Sequence, residues 1–257
     1  MYFYIYDSFL SDKKYENVLA KVEARLLELG INGKIEKLTI LKNLKELVVD
    51  AIKRGADTVV AVGDDRIISK IVSIIAQYPK VTLGIIPLGP ENKIAQILGV
   101  SEGESACDIL SKRIIKRVDL GKANDSFFIS SLEITKGNIK MECDGQYQVE
   151  PQFSEGSISI CNFGNIFKET KFNKKDVSNP QDGILEAIIS SPNKGFNIFK
   201  KDYKRDSIFP IKKVKIKCET ECVPLLLDGQ IVVKTPATVE VAPKKLNIIV
   251  GRLRMFQ

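Results

Sequence analysis

At 257 residues the chain has room for one large or two modest domains, and two is the better expectation. Its 44% hydrophobic and 28% charged residues, without a low-complexity tract or an apolar run near the ~20 residues of a membrane span, exclude disorder and a spanning helix. A net charge of +7, no histidine and five scattered cysteines further exclude Ser-His-Asp and Cys-His catalysis, histidine metal sites and a disulfide framework.

The start, MYFYIYDSFLSDKK, lacks a basic region followed by an apolar core, so no signal peptide is expected and the cytoplasm is the expected compartment. YFYIY reads as a short buried strand. The following YENVLAKVEARLLELGI carries Val18, Leu19, Val22, Leu26 and Leu29 at helical spacing and stops at Gly30. KIEKLTI reads as a second strand and NLKELVVDAIKRGA as a helix ended by Gly55. TVVAV and VTLGII are unbroken β-branched runs, as buried parallel strands are, and each breaks at a glycine before a helix, in VGDDR and PLGPEN. Helices are expected through Ile67–Ile75, Asn92–Leu98 and SACDILSKR. This alternation predicts a parallel sheet covered by helices, with ligands at the strand carboxyl ends.

Beyond residues 113–122 the helical period fades. IIKRVDLGKAN, FFISSLEI, IKMECDG, YQVEP, GSISICNFG, GILEAIIS, KKVKIKCE, PLLLDGQIVV and TVEVAP are short runs between turn signals, which predicts an antiparallel sandwich or barrel. Residues 162–183 read as one long loop. The expected division is 1–118, an α/β nucleotide-binding domain, and 119–257, a β-sandwich domain on the substrate side, with the site in a cleft between them. Lysines concentrate in FKKDYKRDSIFPIKKVKIK, residues 199–217. Such a basic stretch suits an anionic membrane surface or a lysine-protected strand edge, and its few irregular aromatics argue against nucleic acid.

The order of these signals resembles the diacylglycerol kinase catalytic-domain family, which includes bacterial lipid kinases and sphingosine kinases and is more distantly similar to NAD kinases. The residues that carry the resemblance begin with Val62, Gly63, Asp64, Asp65 and Arg66 in the place of the family's Gly-Gly-Asp-Gly-Thr turn. Pro87, Leu88, Gly89, Pro90, Glu91, Asn92 and Lys93 stand in the place of its Pro-x-Gly-Thr-x-Asn-Asp element. VDLGKAN with Asp119, FGN at 163–165, NPQDGILEAII and LLLDGQIVV with Asp228 and Gly229 follow in the family's order.

The resemblance implies phosphoryl transfer from ATP, with Mg2+, to a lipid hydroxyl at the inner membrane face. By position it makes Asp64 the group that orients or deprotonates the acceptor, with Asp228 beside it in catalysis. It gives Asp119 and Asp228 to the metal, and lines the nucleotide site with Gly63, Asp64, Arg66, Pro87, Gly89 and Asn92. The departures fall on the phosphate loops. Val62 and Asp65 replace glycines, Pro90 lacks an N–H, and Asp65 and Glu91 add negative charge where only a metal or Arg66 could offset it. The strand-1 loop Tyr6–Phe9 and the stretch TKGNIKMECDG also leave the family pattern.

Three readings follow: a lipid phosphotransferase; a catalytically inactive relative that binds a nucleotide, a lipid or a protein; and a kinase for NAD or another soluble hydroxyl compound. Each fragment read singly is also an ordinary turn, because Asp beside a helix start and Asp-Gly in a hairpin are favoured for local reasons. Exposed strand edges in the second domain lead to the expectation of a homodimer.

Overall fold

The computed structural model describes residues 1–39, 42–134, 139–151, 157–164, 178–190, 206–218 and 222–256. The chain divides into two compact units, Met1–Val118 with Lys244–Gln257, and Asp119–Pro243.

The first unit opens with β1 (Tyr2–Tyr6), two short 3-10 turns (Ser8–Ser11 and Lys13–Tyr15) and α1 (Glu16–Glu28). It continues through β2 (Lys34–Lys37), α2 (Leu44–Lys53), β3 (Thr58–Gly63), α3 (Asp65–Ile75), β4 (Thr82–Pro87), α4 (Lys93–Ile97) and α5 (Ser105–Lys112). Leu19, Val22 and Leu26 recur every three or four residues on α1, so they share the face that is buried. Asn43 caps α2 by accepting from the N–H groups of Lys45 and Glu46. Every residue of β3 and β4 is buried, as expected of parallel strands covered on both faces. The strands run parallel in the order β2-β1-β3-β4, with Tyr6 opposite Val62 and Gly63 opposite Pro87.

The strands β5 (Ile115–Ala123), β6 (Ser126–Phe128), β7 (Ser131–Ile134), β8 (Ile139–Cys143), β9 (Tyr147–Val149) and β10 (Ser157–Cys161) come next. They are followed by β11 (Leu185–Ser190), β12 (Asp206–Ile211), β13 (Lys213–Cys218), β14 (Pro224–Leu227), β15 (Ile231–Lys234) and β16 (Ala237–Ile249). In the second unit, β12-β11-β10-β7-β14-β15 make one antiparallel sheet. β8 pairs antiparallel with β9 and β13, and β13 with the first part of β16. Leu132, Ile160, Leu185 and Leu225 meet Met141, Val214 and Val239 in one core, the interior of a sandwich. The alternation of buried and accessible residues along β8 and β13 is the period-2 signature of strands with one wet face.

The fold class read from the sequence is the observed one, an α/β unit and an antiparallel β unit, and three details differ. FFISSLEI is two strands, β6 and β7, broken at Ile129 and Ser130. DSIFPI forms β12 in spite of its proline. TVEVAP does not end at Pro243: β16 changes partners there, with Glu240 opposite Lys213 before it and Asn247 parallel to Thr82 of β4 after it. Residues 244–257 therefore return to the first unit, which gains a fifth parallel strand, whereas the sequence suggested that they stay with the second. Much of the expected loop at 162–183, with Asn165, and the basic residues 199–205 lie outside the described residues.

Candidate functional site

In the first unit the chain passes from β1 to β2 on one side and then back to β3 on the other, so the strand order reverses between β1 and β3. The helices that follow the two strands leave on opposite sides at such a point, which opens a crevice at the carboxyl ends. Asp7–Phe9 after β1 and Gly63–Arg66 after β3 stand there, and Leu88–Asn92 follows the adjacent β4. Three of these loops are tied together by backbone bonds. Asp7 N–H donates to Val62 O at 2.9 Å, Leu88 N–H to Gly63 O at 2.9 Å, and Asp65 N–H to Glu91 O at 2.8 Å.

Gly63 and Gly89 hold φ of +149° and +108°, a region that L side chains rarely adopt. Both also allow close packing. A Cβ on Gly63 would lie 2.9 Å from Asp7 Cβ and from Ile67 Cγ2, and one on Gly89 2.9 Å from the Phe9 ring and 3.4 Å from Asp64 Cβ. The approach that glycine permits is thus taken by the protein's own Asp7 and Phe9.

Asp64 is fully buried. One carboxylate oxygen caps α3 by accepting from Arg66 N–H at 3.0 Å. The other accepts from Arg66 Nε at 2.9 Å and Nη2 at 2.7 Å, and these bonds hold the guanidinium above its ordinary pKa. Asp65 turns the other way. Its Oδ2 accepts from Lys93 N–H at 2.8 Å and its Oδ1 from Ile94 N–H at 3.2 Å, which joins α3 to the start of α4. Burial pushes the Asp65 carboxyl up to about 7, against the pull of those two bonds, and Asp64 and Glu91 add to the rise. Asn92 is buried, and its Nδ2 donates to Gly89 O and Glu102 Oε1, both at 3.0 Å, so it fixes the loop after β4. Pro87 closes β4 opposite Gly63. The structure brings Gly63, Asp64, Arg66, Pro87, Gly89 and Asn92 together, while Val62 packs inside β3.

Asp119 and Asp228 belong to the second unit. Asp228 sits at φ +47° in the β14–β15 turn, and its carboxylate accepts from the N–H groups of Ile129, Ser130 and Ser131 at 2.9, 2.8 and 3.1 Å. Asp119 Oδ2 accepts from Gly183 N–H at 2.8 Å. Asn162, fully buried, links the two regions by donating to Asp119 O and Ile129 O. Three backbone bonds hold the Asp228 carboxylate in the turn. Among the described residues no group of three or more Asp, Glu or Cys side chains gathers to hold a metal.

Asp65 as a bridge, Asp7 and Phe9 as fillers and Asn162 as a buried link are assignments that sequence reading did not make. The only signal available for any of them was Asp7–Phe9 following the first strand, the position from which a switch-point loop comes. In the second unit a groove of about 730 Å3 is lined by Ile184, Pro210 and Ile211, with Lys212, Lys213 and Lys215 and the carboxylates of Glu142 and Asp144 along it. Two of these lysines have acidic partners, Lys213 with Glu240 at 3.2 Å and Lys215 with Glu142 at 3.4 Å. No helix among the described residues is long and apolar enough to cross a membrane.

Residues 2–123 match the profile of the diacylglycerol kinase catalytic domain. A diacylglycerol kinase of Bacillus subtilis (strain 168) is 26% identical over 129 residues, which is 49% of this chain and 43% of that protein. A diacylglycerol kinase of Staphylococcus haemolyticus is 35% identical over 82 residues, 31% of this chain and 25% of that one. The matched segment thus spans less than half the length of either relative. A crystal structure of a diacylglycerol kinase from Bacillus anthracis superposes with a TM-score of 0.76 at 18% identity, covering 98% of this chain and 97% of that one. An NAD kinase from Archaeoglobus fulgidus, solved in complex with ATP, gives 0.59 at 13% identity, covering 99% and 96%. These likenesses show the fold shared by the two kinase groups, and residues 2–123 of the chain are similar to the diacylglycerol kinase catalytic domain.

Proposed function

We propose that this chain is a phosphotransferase of the lipid kinase type, which takes the γ-phosphoryl group of ATP and passes it to a lipid hydroxyl. The observation that carries the reading is the pair of positive-φ glycine turns, Gly63 and Gly89, at the carboxyl ends of adjacent parallel strands, with Asp64 beside both. In this reading Asp64 orients the acceptor hydroxyl or takes its proton, and Arg66 offsets negative charge at the turn. Asn92 holds the loop after β4 in place. Mg2+ would arrive with the nucleotide and neutralise phosphate charge. Asp119 and Asp228 would help to hold that ion in this reading. The groove beside Lys212, Lys213 and Lys215 is the place this reading would give to a lipid head group, although its lining joins Ile184, Pro210 and Ile211 to carboxylates, Glu142 and Asp144, as well as to cations.

A second reading, a relative that binds without catalysis, is favoured by one observation: both carboxylates of the turn are occupied by the chain itself, Asp64 by Arg66 and Asp65 by Lys93 and Ile94. A thermal melt with MgATP separates the two, because a ligand bound only by the folded state raises the melting temperature by mass action. The kinase reading expects a dose-dependent, Mg2+-sensitive shift and label transfer from ATP to diacylglycerol in mixed micelles. It also expects Asp64→Asn to abolish transfer with little loss of stability. No shift at millimolar ATP moves the conclusion to the second reading, and unchanged turnover in Asp64→Asn removes Asp64 from its catalytic role.

A further inference from the structure

We propose that Asp65 and Arg66 are specificity-determining residues that lock the turn after β3 and so set the affinity of the first unit for a polyphosphate. This rests on the proposal that a nucleotide binds beside Gly63 and Gly89. The two residues are consecutive, and their side chains make four hydrogen bonds in opposite directions. Arg66 Nε and Nη2 cover one oxygen of the buried Asp64, and Asp65 spans to Lys93 and Ile94, 28 and 29 positions away in sequence. Together with the bond from Asp65 N–H to Glu91 O, they join α3, the loop after β4 and α4 into one closed arrangement.

Charge acts in the same sense. Asp65 and Asp64 are neighbours in the turn, and both Asp64 and Glu91 oppose ionisation of Asp65. Asp7 packs on Gly63 and, like Glu91, lies near enough to favour the charged Arg66. A polyphosphate approaching the turn therefore meets several carboxylates, and the Arg66 guanidinium is already engaged with Asp64. A closed form that must open before the ligand enters lowers the apparent affinity by the fraction that is open, so removing the bonds that close it raises the affinity.

The test is titration calorimetry of the full chain and of the variants Asp65→Ala, Arg66→Ala and the double variant, with MgATP and with AMP. Alanine suits both positions because they lie in the first turn of α3. We expect Asp65→Ala, which removes a tie and a carboxylate, to bind MgATP at least about tenfold more tightly than the wild type, and the double variant, which also loses the Arg66 cation, to fall between them. AMP, without the polyphosphate, should change less than about twofold. Melts without ligand report folding, and if the double variant is unfolded, Asp65→Ala alone decides.

Equal affinity of wild type and variants for MgATP overturns the lock, and so does an equal gain for AMP, which would mean general loosening. Absence of binding in every form overturns it as well. If the wild type transfers phosphate and the variants gain nothing, the lock falls and the kinase reading stands. If Asp65→Ala gains MgATP and neither it nor the wild type transfers phosphate to lipid, the lock stands and the kinase reading falls.

Discussion

Two aspartates beside glycines, one in each unit, look alike in sequence and are held in different ways. Asp64 follows β3 in the first unit, and two of its three bonds come from the side chain of a single surface residue, Arg66. Asp228 turns the chain between β14 and β15 of the second unit, and its carboxylate accepts from consecutive backbone N–H groups where β6 gives way to β7. A side-chain partner can swing aside by rotating a few torsions, whereas backbone donors leave only if the strand end unfolds. Rotation of Arg66 would uncover one oxygen of the first aspartate while the other still caps α3, whereas the second aspartate is tied to the chain at both oxygens. An Asp-Gly or Gly-Asp pair therefore carries no function until its hydrogen-bond partners are known.

The sharpest way to break this comparison is Asp228→Ala. It strands three N–H groups and leaves alanine at positive φ, so we expect a loss of about 3 kcal/mol in urea unfolding. A loss under about 1 kcal/mol would show that the turn does not depend on the carboxylate. Gly89→Ala should cost about 2 kcal/mol, from its φ of +108° and the meeting with Phe9, and the same experiment reads it. Wild-type stability in that variant would mean that Phe9 moves easily and that the turn is roomier than its packing implies.

A pH series on Asp65→Asn sharpens the picture of the first unit. The Asp65 carboxyl rises from an ordinary 3.8 to about 7 on folding, so between those values the folded state holds more protons than the unfolded one. Stability from this group is present below about pH 4 and is lost as pH rises through about 7. The asparagine variant, free of the buried charge but short of one acceptor for two N–H groups, should gain on the order of 1 kcal/mol over the wild type at pH 8 and lose that advantage at pH 4. A gain independent of pH would remove Asp65 ionisation from the account. Lys215→Ala should change stability least, by less than about 0.5 kcal/mol, because its pair with Glu142 is exposed.

The sequence by itself was enough for the layout of the first unit. Buried runs such as TVVAV and LGII, with helical stripes such as Leu19, Val22 and Leu26 between them, follow from a period that neighbouring residues fix. The same holds for the position of the glycine turns, because a strand, a positive-φ glycine and a helix are adjacent in the chain. The antiparallel character of the second unit was legible from its short alternating runs for the same reason.

Tertiary structure alone decided which groups meet across long separations. β16 joins β4 because strand pairing depends on where the chain returns, and a run that passes through Pro243 gives no sign of that. Asp65 reaches Lys93 and Ile94, and Asp228 reaches residues 97 to 99 positions away. A carboxylate accepts from whichever donors the fold brings to it, so its residue type announces the capacity to bond and leaves the partner to the packing of distant elements.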